Sequence, residues 1–220
     1  MELMLDTADV RSIEKLFQIL TIDGVTTNPS ILCASGKDYL RAINDIISIL
    51  EPEQKMFVQT ISTSYLEIVA EAERISTLRE KNMYVKIPVT ADGLKAIKTC
   101  AKNGIGVLAT AIFSSQQAFL AAMNKAHYLA PYVNRMENYC NGIQEVTDLI
   151  KMLKIQGVTS KVIAASFKNV NQVHSLILAG VDAITVPCDI AYAMFSHPGT
   201  DHAVGEFSDK WLKTYQKNCF

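Results

Sequence analysis

The sequence has none of the cysteine or histidine patterns that build disulfide frameworks or hold metals. Its five cysteines are scattered, odd in number and never spaced as C-x-x-C, so we expect free thiols in a cytoplasmic protein. Its four histidines form no H-E-x-x-H motif and no pair spaced by four residues. We therefore expect neither a metal nor any other cofactor.

Patterns that would define several other classes are missing as well. The formal net charge of −1 removes the electrostatic reason to expect nucleic acid as a partner. Glu2 and Asp6 stand where a secretory signal would be basic, so we expect no such signal. Glycines and polar residues interrupt the uncharged stretch between Lys102 and Lys125, which argues against a membrane span. No P-loop, dinucleotide fingerprint or G-x-S-x-G elbow occurs.

What is present is a regular alternation of short β-type runs and helical patterns. The eight runs are Leu3–Asp6, Gly24–Thr27, Met56–Thr60, Met83–Ile87, Val107–Thr110, Tyr128–Val133, Lys161–Ala165 and Ala183–Val186. Apolar residues at helical spacing follow them, and two serine pairs, Ser64 with Glu67 and Ser114 with Gln117, fit a helix-start capping box.

Eight βα units without a linker predict one α/β domain over residues 1–220, folded as a (β/α)8 TIM barrel. The chain is short for this fold, which usually needs roughly 250 residues, so its loops must be tight. One extra C-terminal helix is predicted from about Thr200 onward. It either packs on its own barrel or docks on another subunit.

Polar residues stand at the ends of seven of the eight predicted strands. They are Asp6, Thr26, Asn28, Gln59, Lys86, Thr110, Tyr132, Arg135 and Ser166. Helix capping or loop solvation explains Thr110, Ser166 and Thr26 taken singly, but it does not explain the whole ring. The carboxyl ends of barrel strands form one rim where active sites lie, so the complete ring predicts an active site there.

Lys86 is the most informative member of this ring. Strand alternation places Val85 and Ile87 on one face and Tyr84 and Lys86 on the other, so an outward apolar pair directs Lys86 into the barrel. Burial lowers the pKa of a lysine and makes it a nucleophilic amine, able to form a Schiff base with a ketone. The alternative is a buried ion pair between Lys86 and Asp6.

Arg135 and Ser166 predict where an anionic end of a substrate binds. A guanidinium and a hydroxyl beside backbone N–H groups suit a phosphate, and Lys168 could add charge. The alternative for Arg135 is a solvated loop arginine. No carboxylate pair suited to a glycosidase stands out.

Segments from one end of the chain to the other resemble a known family. They are LDTADV (Leu5–Val10), GVTTNPSIL (Gly24–Leu32), VKIPVTADGLKAI (Val85–Ile97), APYVNR (Ala130–Arg135), GIQEVTDL (Gly142–Leu149) and KVIAASFK (Lys161–Lys168). At these segments the chain resembles the small transaldolase-like class I aldolases, in particular their fructose-6-phosphate aldolase branch. The resemblance implies a TIM barrel without cofactor that acts on sugar phosphates.

The resemblance also implies roles for the residues of the ring. Lys86 matches the Schiff-base lysine, and Arg135 and Ser166 match phosphate-binding positions. Residues that match positions lining the reacting carbons and the catalytic water are Asp6, Asn28, Gln59, Thr110 and Tyr132, with Thr26 beside them. The aldolase branch assembles as a homodecamer of two pentamer rings, whose C-terminal helix reaches over a neighbouring subunit.

Two residues bear on which activity of the family the resemblance implies. Transaldolases carry Glu where Gln59 stands and typically Phe where Tyr132 stands, so this chain takes the aldolase form at both positions. The expected reaction is cleavage of fructose 6-phosphate to dihydroxyacetone and glyceraldehyde 3-phosphate, and its reverse. The alternatives are transfer of the dihydroxyacetone unit to erythrose 4-phosphate and a non-catalytic sugar-phosphate-binding barrel. The loop Met136–Asn141 departs from the family pattern on the phosphate side.

Overall fold

The protein forms a closed barrel of eight parallel strands, seen in a computed structural model that describes all 220 residues. Each strand pairs with the next in the chain, and the last pairs with the first. The strands are β1 (Glu2–Asp6), β2 (Gly24–Thr26), β3 (Lys55–Gln59), β4 (Met83–Pro88), β5 (Val107–Ile112), β6 (Tyr128–Pro131), β7 (Lys161–Ala164) and β8 (Ala183–Val186). The predicted (β/α)8 barrel is confirmed, with every strand end within two residues of the expected position.

Eleven helices surround and extend this barrel. They are α1 (Val10–Phe17), α2 (Pro29–Ala34), α3 (Tyr39–Ile47), α4 (Tyr65–Ser76), α5 (Ala91–Lys102), α6 (Ser115–Met123), α7 (Val133–Met136), α8 (Gly142–Ile155), α9 (Val170–Leu178), α10 (Cys188–Phe195) and α11 (Pro198–Tyr215). None of them combines the length and apolar character needed to cross a membrane.

Strand alternation divides the buried apolar residues into two cores. The larger core lies between strands and helices and takes the outward strand residues, among them Val85 and Ile87. A smaller core fills the barrel itself with Met4, Phe57, Leu108, Tyr128, Ala130, Ile163, Ala165 and Ala183. The interior of the barrel is therefore packed up to the level where the strands end, and polar side chains lie above it.

The two expected capping boxes have different outcomes. The Ser114 hydroxyl accepts the N–H of Gln117 at 3.2 Å, as predicted. The Ser64 hydroxyl instead donates to the Glu67 carboxylate at 2.6 Å, and makes no cap to the backbone of α4. The capping box predicted at Ser64 is therefore wrong, because its hydroxyl is already committed to the carboxylate that was to complete the box.

The sixth strand is shorter than predicted. It ends at Pro131, and the chain turns into α7 at Val133, whose N–H donates to Ala165 O at 2.9 Å. The next N–H, of Asn134, donates to Ser166 O at 2.8 Å. These bonds satisfy the start of α7 against the end of β7. Arg135 consequently lies on a helical turn and not in a loop.

The C-terminal helix does not join its own barrel. It begins at Pro198, close to the predicted Thr200, and none of its residues is buried or contributes to either core. Trp211 packs instead on Tyr215 and Phe220 of the same tail, with ring centroids 4.4 and 4.6 Å apart. The structure therefore contradicts packing of α11 on its own barrel.

Ion pairs close the amino-terminal end of the barrel. The Glu2 carboxylate lies 2.7 Å from Lys161 Nζ and 3.6 Å from Lys55 Nζ, and accepts the Tyr128 hydroxyl at 3.1 Å. Partial burial raises the pKa of Glu2, but the hydrogen bond from Lys161 and the charges of Lys55 and Lys161 outweigh it and hold the pKa below its ordinary value. Ionised Glu2 therefore stabilises the folded state.

We expect Glu2→Gln to lower the free energy of unfolding by about 1 kcal/mol, since one charged partner of a half-exposed cluster is removed. For a chain of this size that is a fall of about 2–4 °C in Tm. A lowered carboxyl pKa gives stability above the unfolded pKa that is lost as the pH falls through the folded pKa. The difference in Tm between wild type and variant, measured by thermal unfolding, should therefore become smaller in acid. Glu53→Gln, at an exposed site, is the control; an equal loss there would contradict the prediction.

Candidate active site

The carboxyl ends of the strands bring most of the predicted ring together. The sheet register pairs Asp6 of β1 with Thr26 of β2, and Gln59 of β3 with Lys86 of β4. Because Thr26 pairs with Phe57, the Gln59–Lys86 pair lies two residues further along the sheet register than the Asp6–Thr26 pair. Because all strands are parallel, every member of the ring lies on the same end.

Lys86 points into the barrel, as its neighbours predict. Its side chain is 5% exposed, while Val85 and Ile87 are fully buried in the outer core. Its Nζ donates to Thr27 O at 2.7 Å. Desolvation lowers the pKa of Lys86, and the nearby Asp6 charge only partly opposes this. Burial thus favours the uncharged, nucleophilic amine.

The alternative of a Lys86–Asp6 ion pair is wrong. No carboxylate lies within salt-bridge distance of Lys86 Nζ. Asp6 Oδ1 instead accepts the Thr26 hydroxyl at 2.6 Å. A backbone carbonyl gives the amine one acceptor without the full charge that would stabilise its protonated form.

The eighth strand supplies a residue that the sequence analysis missed. Thr185 is buried, and its Oγ1 lies 2.7 Å from Thr26 Oγ1, so that Thr185, Thr26 and Asp6 form one chain of hydrogen bonds. Alternation could have found it, because Ile184 and Val186 belong to the outer core and Thr185 between them must face inward. With Thr185, all eight strands contribute polar groups to this end.

Thr110 and Tyr132 form a pair of hydroxyls across β5 and β6. Their oxygens are 3.1 Å apart, with Thr110 fully buried and Tyr132 half-buried. The next residue, Ala111, has a φ of +55°, and the pairing register with β6 shifts at this point. Such a conformation is costly for a residue with a Cβ, and it is found mainly where surrounding structure and function require it.

Gln59 carries an acceptor that the protein does not satisfy. Its Oε1 is buried and has no hydrogen-bond partner. A buried polar atom without a partner is costly, and in native structures it commonly marks the place of a water or ligand. Gln59 Oε1 is therefore an acceptor available to an external hydroxyl or water, on the strand next to that of Lys86.

The predicted phosphate-binding residues lie together at the ends of β6 and β7. The exposed Arg135 guanidinium lies 4.8 Å from the centre of the Tyr132 ring. Ser166 has a φ of +63° and is tied through its carbonyl to α7, the helix that carries Arg135. Lys168 is exposed nearby and makes no salt bridge.

Asn28 is connected to this end differently from the other residues. Its Oδ1 accepts the Ile31 N–H at 3.0 Å and caps α2, so it makes no hydrogen bond to another member of the ring. Its amide group is half-buried. Only its Nδ2 is left to donate to a ligand.

These groups suit chemistry on a carbonyl compound. A desolvated amine can attack a ketone, a carboxylate held by Thr26 can accept a proton, and the Thr110–Tyr132 pair can hold a water. A guanidinium at the open side can bind an anionic group.

The family model described as transaldolase/fructose-6-phosphate aldolase matches residues 3–219. The chain belongs to this family. A member of the transaldolase/fructose-6-phosphate aldolase family is an enzyme of the aldolase or transaldolase type, in agreement with the carbonyl chemistry that the site allows.

Solved structures share the fold of this family member at low identity. A sulfite-bound double variant of flavocytochrome b2 has a TM-score of 0.58 and 9% identity. The recombinant flavin-binding domain of baker's yeast flavocytochrome b2 has a TM-score of 0.60 and 8% identity. Each match covers 98% of this chain, and the chain spans 64% of each of those chains. At such identities the likeness concerns the barrel alone.

Proposed function

We propose that the protein is a class I aldolase that cleaves fructose 6-phosphate to dihydroxyacetone and glyceraldehyde 3-phosphate, and catalyses the reverse addition. The observation that carries this proposal is the buried Lys86 amine, whose Nζ contacts a backbone carbonyl and no carboxylate. Such an amine attacks the C2 carbonyl and, with loss of water, forms an iminium ion. The iminium takes up the electron pair of the C3–C4 bond as this bond breaks.

Asp6 serves the cleavage step in this proposal. As C3–C4 breaks, the C4 hydroxyl becomes an aldehyde and must lose its proton. The Thr26 hydroxyl holds the Asp6 carboxylate, whose charge acts on Lys86, so this carboxylate is placed to accept that proton. Glyceraldehyde 3-phosphate then leaves, and the three-carbon unit stays on Lys86 as an enamine.

Tyr132, Thr110 and Gln59 serve the release of the three-carbon unit. The enamine must gain a proton on carbon, and the resulting iminium must gain water. The Tyr132 hydroxyl, 3.1 Å from Thr110, can order a water and donate the proton, and Gln59 Oε1 is the acceptor left free for that water. Dihydroxyacetone is released and the amine is regenerated.

The substrates are soluble sugar phosphates, whose phosphate binds at Arg135 and Ser166 while Asn28 and Thr26 flank the reacting carbons. The exposed guanidinium beside the strained Ser166 backbone supports this assignment. The scattered free cysteines support action in the cytoplasm. We include no membrane and no nucleic acid among the partners.

The exposed C-terminal helix supports a homo-oligomer as the working form, which we propose to be a decamer of two pentamer rings. Helix α11 buries nothing in its own barrel and presents Phe207, Leu212 and Tyr215 at 67%, 48% and 57% exposure. Apolar side chains aligned on an unpartnered helix are typical of a subunit contact. Two barrels exchanging such helices would cover them.

Borohydride added with dihydroxyacetone should reduce the iminium to a stable amine and add mass to the peptide holding Lys86, as measured by mass spectrometry. Because its lowered pKa leaves Lys86 unprotonated at lower pH, trapping should persist well below the ordinary lysine pKa of about 10.5. Lys86→Met should abolish the label, while Lys102→Met at an exposed site should keep it. A label on another lysine, no label at all, or inhibition by EDTA would refute the Schiff-base mechanism.

Tyr132→Phe should depress release of free dihydroxyacetone far more than transfer of the unit to erythrose 4-phosphate. Removing one general acid costs about 10²–10⁴-fold in the step it serves, and transfer does not need this proton donor. Gln59→Glu should likewise lower the ratio of dihydroxyacetone release to dihydroxyacetone transfer. The measurement is a coupled assay on fructose 6-phosphate with and without erythrose 4-phosphate. Negligible cleavage by the wild type alone, with rapid transfer once the acceptor is present, would make the protein a transaldolase.

Arg135→Ala should lower kcat/KM for phosphorylated acceptors and leave kcat/KM for unphosphorylated aldehydes unchanged. A charge-assisted contact contributes about 1.5–3 kcal/mol, or 10- to 150-fold in kcat/KM, and the exposure of Arg135 favours the lower end. Arg41→Ala, at an exposed position on α3, is the control and should change kcat/KM for neither kind of acceptor. Equal losses for both kinds of acceptor would show that Arg135 holds the fold or takes part in the chemistry.

Deletion of residues 198–220 should reduce the mass of the assembly in sedimentation equilibrium. The barrel should stay folded, because α11 contributes no residue to either core. Thermal unfolding of the truncated chain provides that control. An unchanged assembly mass would rule out α11 as a subunit contact.

A further inference from the structure

Three aromatic rings form a continuous row from the reacting centre to the solvent. The Phe113 ring meets the Tyr132 ring edge to face, with centroids 5.8 Å apart, and meets the Tyr139 ring in the same way at 5.9 Å. Tyr132 and Phe113 are half-buried, whereas Tyr139 is 80% exposed. We call Tyr132, Phe113 and Tyr139 the aromatic row.

The outer end of this row belongs to the loop that departs from the family pattern. Although Tyr139 is exposed, its backbone is held, because its N–H and that of Cys140 both donate to Met136 O, at 2.8 and 2.9 Å. Glu137 accepts the N–H of Gly142 at 3.0 Å and closes the loop onto α8. The ring of Tyr139 is thus presented from a fixed turn.

The inner end of the row lies where the second substrate of an addition must react. The Tyr132 hydroxyl contacts the buried Thr110, and the Arg135 guanidinium lies over the Tyr132 ring. An acceptor aldehyde has to place its carbonyl carbon at the enamine on Lys86. Its tail therefore leaves the barrel along β5 and β6, past Arg135 and the two outer rings.

We propose that Phe113 and Tyr139 extend the acceptor site and select acceptor aldehydes whose tail carries an aromatic ring or another flat apolar group. This inference rests on the proposed aldolase function. Aromatic side chains attract other rings in offset or edge-to-face geometry, and Phe113 and Tyr139, being nearly perpendicular, offer a face and an edge together. Arg135 lies nearer the centre, so a short phosphorylated acceptor reaches it without touching Tyr139.

The test compares kcat/KM for addition of dihydroxyacetone to phenylacetaldehyde and to glycolaldehyde, which is too short to reach the row. Tyr139→Ala should lower the phenylacetaldehyde-to-glycolaldehyde ratio about 2- to 12-fold, the range of one aromatic pair. Tyr139→Phe should keep the wild-type ratio, because the ring and not the hydroxyl makes the contact. Phe113→Leu should lower the ratio as Tyr139→Ala does. Asn138→Ala, in the same loop but without a ring, should leave the ratio unchanged.

Three outcomes would overturn the inference. An unchanged ratio in Tyr139→Ala, while borohydride still labels Lys86 with dihydroxyacetone alone, refutes the acceptor role and leaves the proposed function intact. No label in the wild type refutes both. A lower assembly mass of Tyr139→Ala in sedimentation, with the acceptor ratio unchanged, would assign the ring to a subunit contact.

Discussion

Strand alternation in a closed barrel is the constraint on which the other features depend. Every second residue of a strand faces into the barrel. At the carboxyl ends of the strands, no further apolar layer covers these inward residues. Lys86 is the inward residue of β4 at this level, and its amine has a single protein acceptor, Thr27 O. The barrel wall desolvates that amine, and the nearby Asp6 charge only partly offsets this effect on its pKa. Its lowered pKa follows from this position.

Polar groups of the two barrel ends are satisfied to different degrees. At the amino-terminal end, Glu2 has two lysines and a tyrosine hydroxyl around its carboxylate. At the carboxyl end, Gln59 Oε1 is buried and has no partner. A buried acceptor without a partner reduces stability, and native structures commonly satisfy it with a water or a ligand. The Glu2 cluster therefore stabilises the amino-terminal end, and the proposed ligand chemistry lies at the carboxyl end.

Much of this arrangement is readable from the sequence, because it follows from period and composition. The strands, the inward direction of Lys86 and the hydroxyls of Thr26 and Thr110 all follow from alternation. Thr185 follows the same rule, because it is the last residue but one of its predicted strand, as Lys86 is of its own, although it is absent from the predicted ring.

Other features depend on backbone turns that a sequence pattern does not encode. Ala111 and Ser166 adopt positive φ, although neither is a glycine, so no local residue preference reveals them. The end of β6 depends on the Ala165 and Ser166 carbonyls, which directly follow β7, some thirty residues further along the chain. The contact of Tyr139 with Phe113 likewise joins two loops that only the closed barrel brings together. These features therefore depend on contacts between distant segments, which a local sequence pattern does not encode.

The neutral amide of Gln59 has a physical consequence for its neighbour. Gln59 and Lys86 are paired on adjacent strands at the same level. An ionised carboxylate at position 59 would favour the protonated amine of Lys86 and oppose the effect of desolvation. An amide has an acceptor for water without that charge, so in the proposed mechanism the Lys86 amine stays uncharged while Gln59 Oε1 accepts the water needed for hydrolysis. In the proposed mechanism the side chain at position 59 therefore acts on two things, the protonation of the Lys86 amine and the binding of the water that hydrolyses the enamine product.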